Sequence, residues 1–341
     1  MNLQYACLEC LLKQARATTK LQNSTLEQSV LEAVGLVFEN LDNFRIFLEN
    51  PTHFSTLSTK DKTKLQKKLR TFFTQKGIIL NGDFEIPPTL LAVLVYEKIA
   101  KILKNSSPYL EIKTKSIAQA RIYKQGFMQC LEEMLKQNLS AKEILEYAVR
   151  ICVLGNVIDY GAQCSFDLEL EAKKILKEHF AHFALEPFMK KIKTARQLVF
   201  IGDNAGENEF DEILIVALKA LYPNLKIYYF VRGAEIINDI TLRDLQNSDS
   251  TLLTISKVID SGVLSPGFIE SLASIEAKEI YRQADVILAK GMGNFESMES
   301  CARKDERVFL LFKIKCSVVR DYLKKNLGDF VFFSPFLEQN L

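Results

Sequence analysis

The chain has 341 residues, 48% hydrophobic and 25% charged, and a formal net charge of +2. This is globular composition, long enough for two domains, and it gives no electrostatic basis for binding nucleic acid or an anionic membrane. No apolar run reaches the roughly 20 residues that span a bilayer, and no basic-then-apolar leader opens the chain. The seven cysteines, Cys7, Cys10, Cys130, Cys152, Cys164, Cys301 and Cys316, are odd in number and scattered. They fit a reducing compartment, so a cytoplasmic protein is expected.

From Met1 to about Tyr147 the pattern is helical. Leu8, Leu11, Leu12 and Ala15 recur at helical spacing, as do Val30, Val34, Val37 and Phe38, and then Leu90, Leu91, Leu94 and Ile99. Pro51, Asn81-Gly82, Pro87-Pro88 and Ser106-Ser107-Pro108 punctuate the run before a long helix from Glu111 to Leu135. The basic stretch Lys60 to Arg70 reads as a solvated helix face. Gly155 and Gly161 bracket Asn156 and Asp159, which predicts a turn, and a further helix is expected over about Leu168 to Lys193. His179 and His182 on that helix have no acidic or cysteine partner in view and read as a surface pair rather than a zinc site.

The second half alternates strand, loop and helix. Strands are expected at Gln197–Ile201, Lys226–Val231, Thr251–Ile255, Val286–Ala289, Val308–Phe312 and Phe330–Phe333, with helices at Glu209–Leu221 and near Phe268–Ala273. Such repetition implies a mostly parallel sheet covered on both faces. Polar residues and glycines gather at the carboxyl ends of the strands, where ligands bind in open α/β sheets.

Asp203 and Asn204 follow the first of these strands, and Asp239 follows the second. Two carboxylates and an amide oxygen suit a hard divalent cation. The alternative is that all three cap the helices that follow them. Ala205-Gly206 opens a helix whose free N–H groups attract phosphate, and Gly262, Gly267, Gly291 and Gly293 would let backbone amides approach a ligand. Lys315, just past a strand, could neutralise phosphate oxygens. Together these favour phosphoryl transfer, with water as acceptor, hence a phosphatase. Gly291-Met292-Gly293-Asn294 falls short of a dinucleotide fingerprint because Glu296 stands where the third glycine belongs, and no P-loop is present. Cys7-Leu8-Glu9-Cys10 is a lone pair within a helix, read as core packing or as a structural or redox element.

The block Gly202-Asp203-Asn204-Ala205-Gly206-Glu207 with Phe210-Asp211 resembles the signature of the metal-dependent damage-control phosphatases, the ARMT-like proteins long catalogued as a domain of unknown function. Asn238-Asp239-Ile240-Thr241, Ser261-Gly262 to Pro266-Gly267, Gly291 to Ser297 and Lys313-Ile314-Lys315-Cys316 match further blocks in order. Cys7 to Cys10 with Lys13-Gln14 resembles the opening of the prokaryotic subgroup, and Gly155 to Asp159 also fits. Ser107-Pro108-Tyr109 departs from the Asp-Pro-Tyr expected there, which bears on local capping.

The resemblance implies an all-helical N-terminal domain, 1–160, on a Rossmann-like three-layer α/β/α catalytic domain, 161–341. It implies hydrolysis of phosphate monoesters of small metabolites with Mn²⁺, Co²⁺, Ni²⁺ or Mg²⁺. Sugar phosphates, phosphopantetheine derivatives and damaged phosphometabolites are the expected substrates. Asp203, Asn204 and Asp239 would ligate the metal, and Lys315 would contact phosphate. Asn156, Asp159, Gly206, Glu207, Gly262 and Asn294 would stand on the substrate side. Asp203 would serve as nucleophile or as the base that aligns water. The competing readings are an S-adenosylmethionine-dependent methyltransferase and a non-enzymatic, metal-stabilised interaction protein. An oligomer is compatible with all three.

Overall fold

The computed structural model describes residues 1, 4–39, 67, 71, 74, 87–155 and 176–338. Asn156, Asp159, His53, Cys164, Pro51, Asn81-Gly82 and nearly all of Lys60 to Arg70 lie outside these residues.

The helices of the first half are α1 (Tyr5–Leu21), α2 (Glu27–Glu39), α3 (Pro88–Leu103), α4 (Leu110–Lys136) and α5 (Ala141–Leu154). Pro88 begins α3, where its missing N–H costs nothing. Ser140 and Glu143 form a reciprocal capping box that starts α5. Tyr109, the residue before α4, makes no side-chain cap. The turn there is held to α1 instead: Gln22 Nε2 donates to Pro108 O at 2.6 Å, and the Tyr109 and Thr18 hydroxyls lie 2.7 Å apart.

The second half contains β1 (His182–Phe183), α6 (Leu185–Ile192), β2 (Gln197–Ile201), α7 (Glu207–Leu221), β3 (Lys226–Val231), α8 (Leu242–Asn247), α9 (Leu252–Ile255) and β4 (Lys257–Asp260). It continues through α10 (Ile275–Gln283), β5 (Val286–Lys290), α11 (Met292–Ala302), β6 (Val308–Lys313), α12 (Ser317–Leu323), β7 (Phe330–Phe333) and α13 (Pro335–Glu338). The seven strands are ordered β1-β7-β6-β5-β2-β3-β4, all pairs parallel except β6 with β7.

Alternate residues of each strand face opposite layers. Phe200, Tyr229, Leu288 and Phe309 join α4, α5 and α7 in one core. Val199, Phe230, Ile287 and Leu310 pack against α10, α11 and α12 in the second. A third core unites α1, α2 and α3 with Ile236 and Ile269, which lie in loops beyond β3 and β4. The fold is therefore α/β, a three-layer sandwich with a mostly parallel sheet, and helices α1 to α3 sit over loops at the sheet's carboxyl edge.

Three expected elements are corrected. Thr251–Ile255 is not a strand: its apolar run forms the short helix α9, which buries Leu252, and the strand follows at Lys257–Asp260. As an edge strand β4 buries only Ile259, so it carries little apolar signal. The end of the helix expected over Leu168–Lys193 breaks into β1 and α6, because Ala181 N and Ala184 N donate to Phe330 O and Phe332 O of β7. His179 and His182 therefore do not share a helix; His182 Nδ1 lies 2.9 Å from Glu338 Oε1. Near Phe268–Ala273 there is a single 3₁₀ turn, Glu270–Leu272, and the true helix is α10.

Candidate active site

β2 has β3 on one side and β5 on the other. The chain runs from β2 outward through β3 and β4, then returns to lay β5 against the opposite edge of β2. Loops after β2 and β5 thus diverge and leave a crevice at the carboxyl edge, the place where this architecture binds ligands.

Backbone bonds fasten the loop after β2 to the loop after β3. Ala205 N donates to Asn238 O at 2.8 Å, Ile240 N to Asp203 O at 2.8 Å, and Asn204 forms an isolated bridge with Asp239. This places Asp203, Asn204 and Asp239 together. None of the three caps a helix. The residue before α7 is Gly206, without a side-chain cap, and α8 is capped by Thr241 in a capping box with Asp244.

The side chains leave defined oxygens free. Asn204 Nδ2 donates to Asp203 Oδ2 and to Glu207 Oε1, both at 2.9 Å, so its Oδ1 remains available. Arg232, 1% exposed, donates through Nε to Asp239 Oδ2 at 2.7 Å, and its Nη2 stands 3.8 Å from Asp203 Oδ1. Burial, then Glu207 and Asp239, push the Asp203 carboxyl well above the usual range against the pull of Arg232 and Lys315. Burial likewise raises Asp239 to about 6, opposed chiefly by Arg232.

These groups open on a cavity of about 210 Å³. Its walls carry Asp203, Asn204, Asp239, Lys315 and Cys316, Met292 and Glu296 from α11, and Cys7, Leu11 and Pro88 from the N-terminal helices. Lys315 is exposed to it and has no ion pair with any described residue. All six described cysteines are free.

Two closely packed carboxylates, both pushed toward protonation, are groups that a cation would relieve. Among the described residues no three His, Cys, Asp or Glu side chains converge on a metal position. Two carboxylate oxygens and one amide oxygen, with room for water and substrate, fit a hard divalent ion.

Four of the other expected residues, all described, make the following contacts within the protein. Gly206 N–H donates to Asn208 Oδ1 at 2.8 Å and is not offered to a ligand. Gly262 N–H is likewise taken by Asp260 Oδ1 at 2.8 Å, and a side chain at Gly262 would meet Ser274. Asn294, fully buried, accepts from Phe268 N and donates to Lys290 O, tying three loops together. Glu207 is 2% exposed and lies 3.0 Å from Lys290 Nζ, behind Asp203 rather than on the cavity wall.

Sequence reasoning missed Arg232, Lys290 and Glu296. A basic residue at the end of β3 and another at the end of β5 stood beside acidic loops, but only the folded chain shows that both are buried.

The profile of the damage-control phosphatase ARMT1-like domain matches residues 3–331. The chain belongs to the damage-control phosphatase ARMT1-like domain family. It is 35% identical over 245 residues to the damage-control phosphatase PH1575 of Pyrococcus horikoshii, covering 72% of this chain and 80% of that one. It is 29% identical over 255 residues to a damage-control phosphatase of Archaeoglobus fulgidus, covering 71% and 80%. The crystal structure of PH1575, described as a DUF89 family protein, superposes with a TM-score of 0.72 over 98% of this chain and 99% of that one. Within this ARMT1-like chain no helix among the described residues is long and apolar enough to cross a membrane.

Proposed function

We propose that this ARMT1-like protein is a divalent-metal-dependent phosphatase of small phosphorylated metabolites, damaged metabolites among them, working in the cytoplasm. The observation that carries the reading is one cavity wall holding Asp203, Asn204 and Asp239 with Lys315 on the same cavity. The names of the archaeal relatives, damage-control phosphatases, support the same chemistry.

Asp203, Asn204 and Asp239 would hold Mn²⁺, Co²⁺, Ni²⁺ or Mg²⁺. When bound, such an ion supplies Lewis-acid polarisation of a phosphate oxygen and a more acidic water. Lys315 draws the phosphate in and offsets its charge. Asp203 stands beside the reacting phosphorus as nucleophile or as the base that aligns water. We assign residues 1–160 to shaping the substrate pocket, since Cys7, Leu11 and Pro88 supply its apolar wall, and 161–341 to catalysis.

The test is release of p-nitrophenol from its phosphate by the purified protein with each of the four ions. Asp203→Ala and Asp239→Ala should abolish it while circular dichroism stays unchanged. Full activity in both variants would sink the site assignment. A wild-type protein inert with every ion, also across a panel of phosphorylated metabolites, would sink the phosphatase reading. Tight S-adenosylmethionine binding without metal would instead favour a methyltransferase.

A further inference from the structure

Most acidic side chains around the crevice are held by a partner. Asp203 is held by Asn204, Asp239 by Arg232, Glu207 by Lys290 and Asn204, and Glu299 by Arg303. Glu296 differs. It lines the same cavity as Asp203, Asp239 and Lys315. Its charge is met only through space, by the N-terminal amine, which donates to the Glu296 backbone carbonyl at 3.0 Å. Its place is set by the backbone. Met292, Gly293 and Glu296 lie at i, i+1 and i+4 on α11, so one helix face presents all three to the cavity. That helix starts at Gly291, which presses against Asp203.

Hydrolysis of an alkyl or unactivated aryl phosphate needs a proton for the departing oxygen, and no other role in the site supplies one. Lys315 is committed to the phosphate charge, and the two aspartates to the cation. A cavity of about 210 Å³ lies below the ~300–1,000 Å³ typical of drug-sized pockets. An ester whose phosphate meets the aspartates therefore extends its leaving group along the remaining wall, where Glu296 stands.

Resting on the phosphatase reading above, we propose that Glu296 is the general acid that protonates the leaving oxygen. The bond from phosphorus to the ester oxygen breaks as the oxygen of a water, aligned by or following attack of Asp203, bonds to phosphorus and leaves its proton on the released phosphate or on Asp203. The Glu296 proton passes to the departing oxygen, giving the free alcohol or phenol, and the carboxylate is reprotonated from solvent. Burial raises this carboxyl to about 7, against the pull of the N-terminal amine, so it retains a proton near neutrality. The titratable groups around it are Cys7 and Cys10 of α1, the N-terminal amine, Cys316 and Lys315, with Asp203 and Asp239 on the same cavity.

The experiment compares Mn²⁺-loaded wild type and Glu296→Gln on phenyl phosphate and p-nitrophenyl phosphate. The two are nearly equal in size, but p-nitrophenol leaves readily without a proton. Loss of a general acid is expected to lower kcat on phenyl phosphate by about 100-fold or more and on p-nitrophenyl phosphate by less than about 10-fold. In the wild type, kcat on phenyl phosphate should fall as pH rises through about 7. Glu296→Gln should lose that alkaline limb, and Glu296→Asp should keep it at a lower rate. Equal loss on both esters, or an unchanged limb in Glu296→Gln, would overturn the role. Hydrolysis of neither ester by the wild type would overturn the phosphatase reading itself, and this role with it.

Discussion

Gly291 and Asp203 approach so closely that a methyl group on Gly291 would lie 2.0 Å from Asp203 Oδ2. The two residues follow adjacent parallel strands, β5 and β2, and Gly291 has φ +85°, where side-chain-bearing residues are strained. The crevice thus has a wall whose position depends on a missing side chain. Gly291→Ala should leave the sheet folded at a cost of about 1–3 kcal/mol. By displacing the Asp203 carboxylate it should lower Mn²⁺-dependent p-nitrophenyl phosphate turnover by about 100-fold. Thermal melting and steady-state kinetics check the two parts separately.

Lys315 lies on the cavity, free of ion pairs with the described residues, so its removal should act on substrate rather than on the fold. Lys315→Met is expected to weaken phosphate binding by about 1.5–3 kcal/mol, the usual worth of a charge-assisted hydrogen bond. Inhibition by inorganic phosphate should weaken correspondingly, while the melting temperature stays within about a degree or two of wild type. A phosphate inhibition constant that does not move would remove Lys315 from the site.

A cation held by Asp203, Asn204 and Asp239 binds the folded chain alone, and so should stabilise it. At about 100 times its dissociation constant, Mn²⁺ should add about 2.7 kcal/mol. Calorimetric melting should show this rise in the wild type and no rise in Asp203→Ala or Asp239→Ala. An equal rise in all three would place the bound ion elsewhere.

Behind the cavity wall, fully buried Lys290 sits 2.5 Å from Asp211 Oδ1 and 3.0 Å from Glu207 Oε2, and Tyr229 donates to Asp211 Oδ2 at 2.6 Å. Burial opposes the charge on Lys290, but Asp211, Cys152 and Glu207 outweigh it and hold its pKa well above the usual value. Lys290→Met would take the cation from two buried carboxylates, at a cost of about 3–5 kcal/mol. Urea denaturation should show the loss, and replacing Asp211 with Asn in the same chain should recover part of it.

Glu296 also carries a stability signature. Its ordinary value is 4.5, and in the fold it rises to about 7. A carboxyl raised in this way favours the folded state fully below its unfolded pKa, and that contribution is lost as pH rises through the folded one. Glu296→Gln removes the loss. At pH 8 the variant should be more stable than wild type, with a ceiling of about 3.5 kcal/mol at about 1.4 kcal/mol per pKa unit. Near pH 4 the two should converge. A variant less stable than wild type at pH 8 would contradict the raised value.

Much of this protein was legible in its sequence. Runs such as Leu198-Val199-Phe200-Ile201, buried on both faces of the sheet, are continuous and apolar, so strand and loop alternate visibly along the chain. Asp203, Asn204, Asp239 and Lys315 stood out because polar residues placed just after such strands have few structural duties. Edge elements left a weaker trace. β4 buries only Ile259, and β1 exists because Ala181 and Ala184 find carbonyls on β7, a partner nearly 150 residues away.

What the tertiary structure alone decided is how charge is distributed around the crevice. Gly206 and Gly262 are expected to offer amides to a ligand, yet each N–H is taken by a side chain two residues away, and Asn294 bonds to the loops at Phe268 and Gly202. Arg232 and Lys290, which the sequence does not single out, are both buried against carboxylates. Glu296, in sequence only the residue that breaks a dinucleotide fingerprint, is placed by the fold on the cavity wall. Sequence periodicity reports which residues leave water, because burial follows the local repeat of a strand or helix. Which buried charge meets which depends on strand order. Here β5 returns to the far edge of β2, and that crossing brings Gly291 against Asp203.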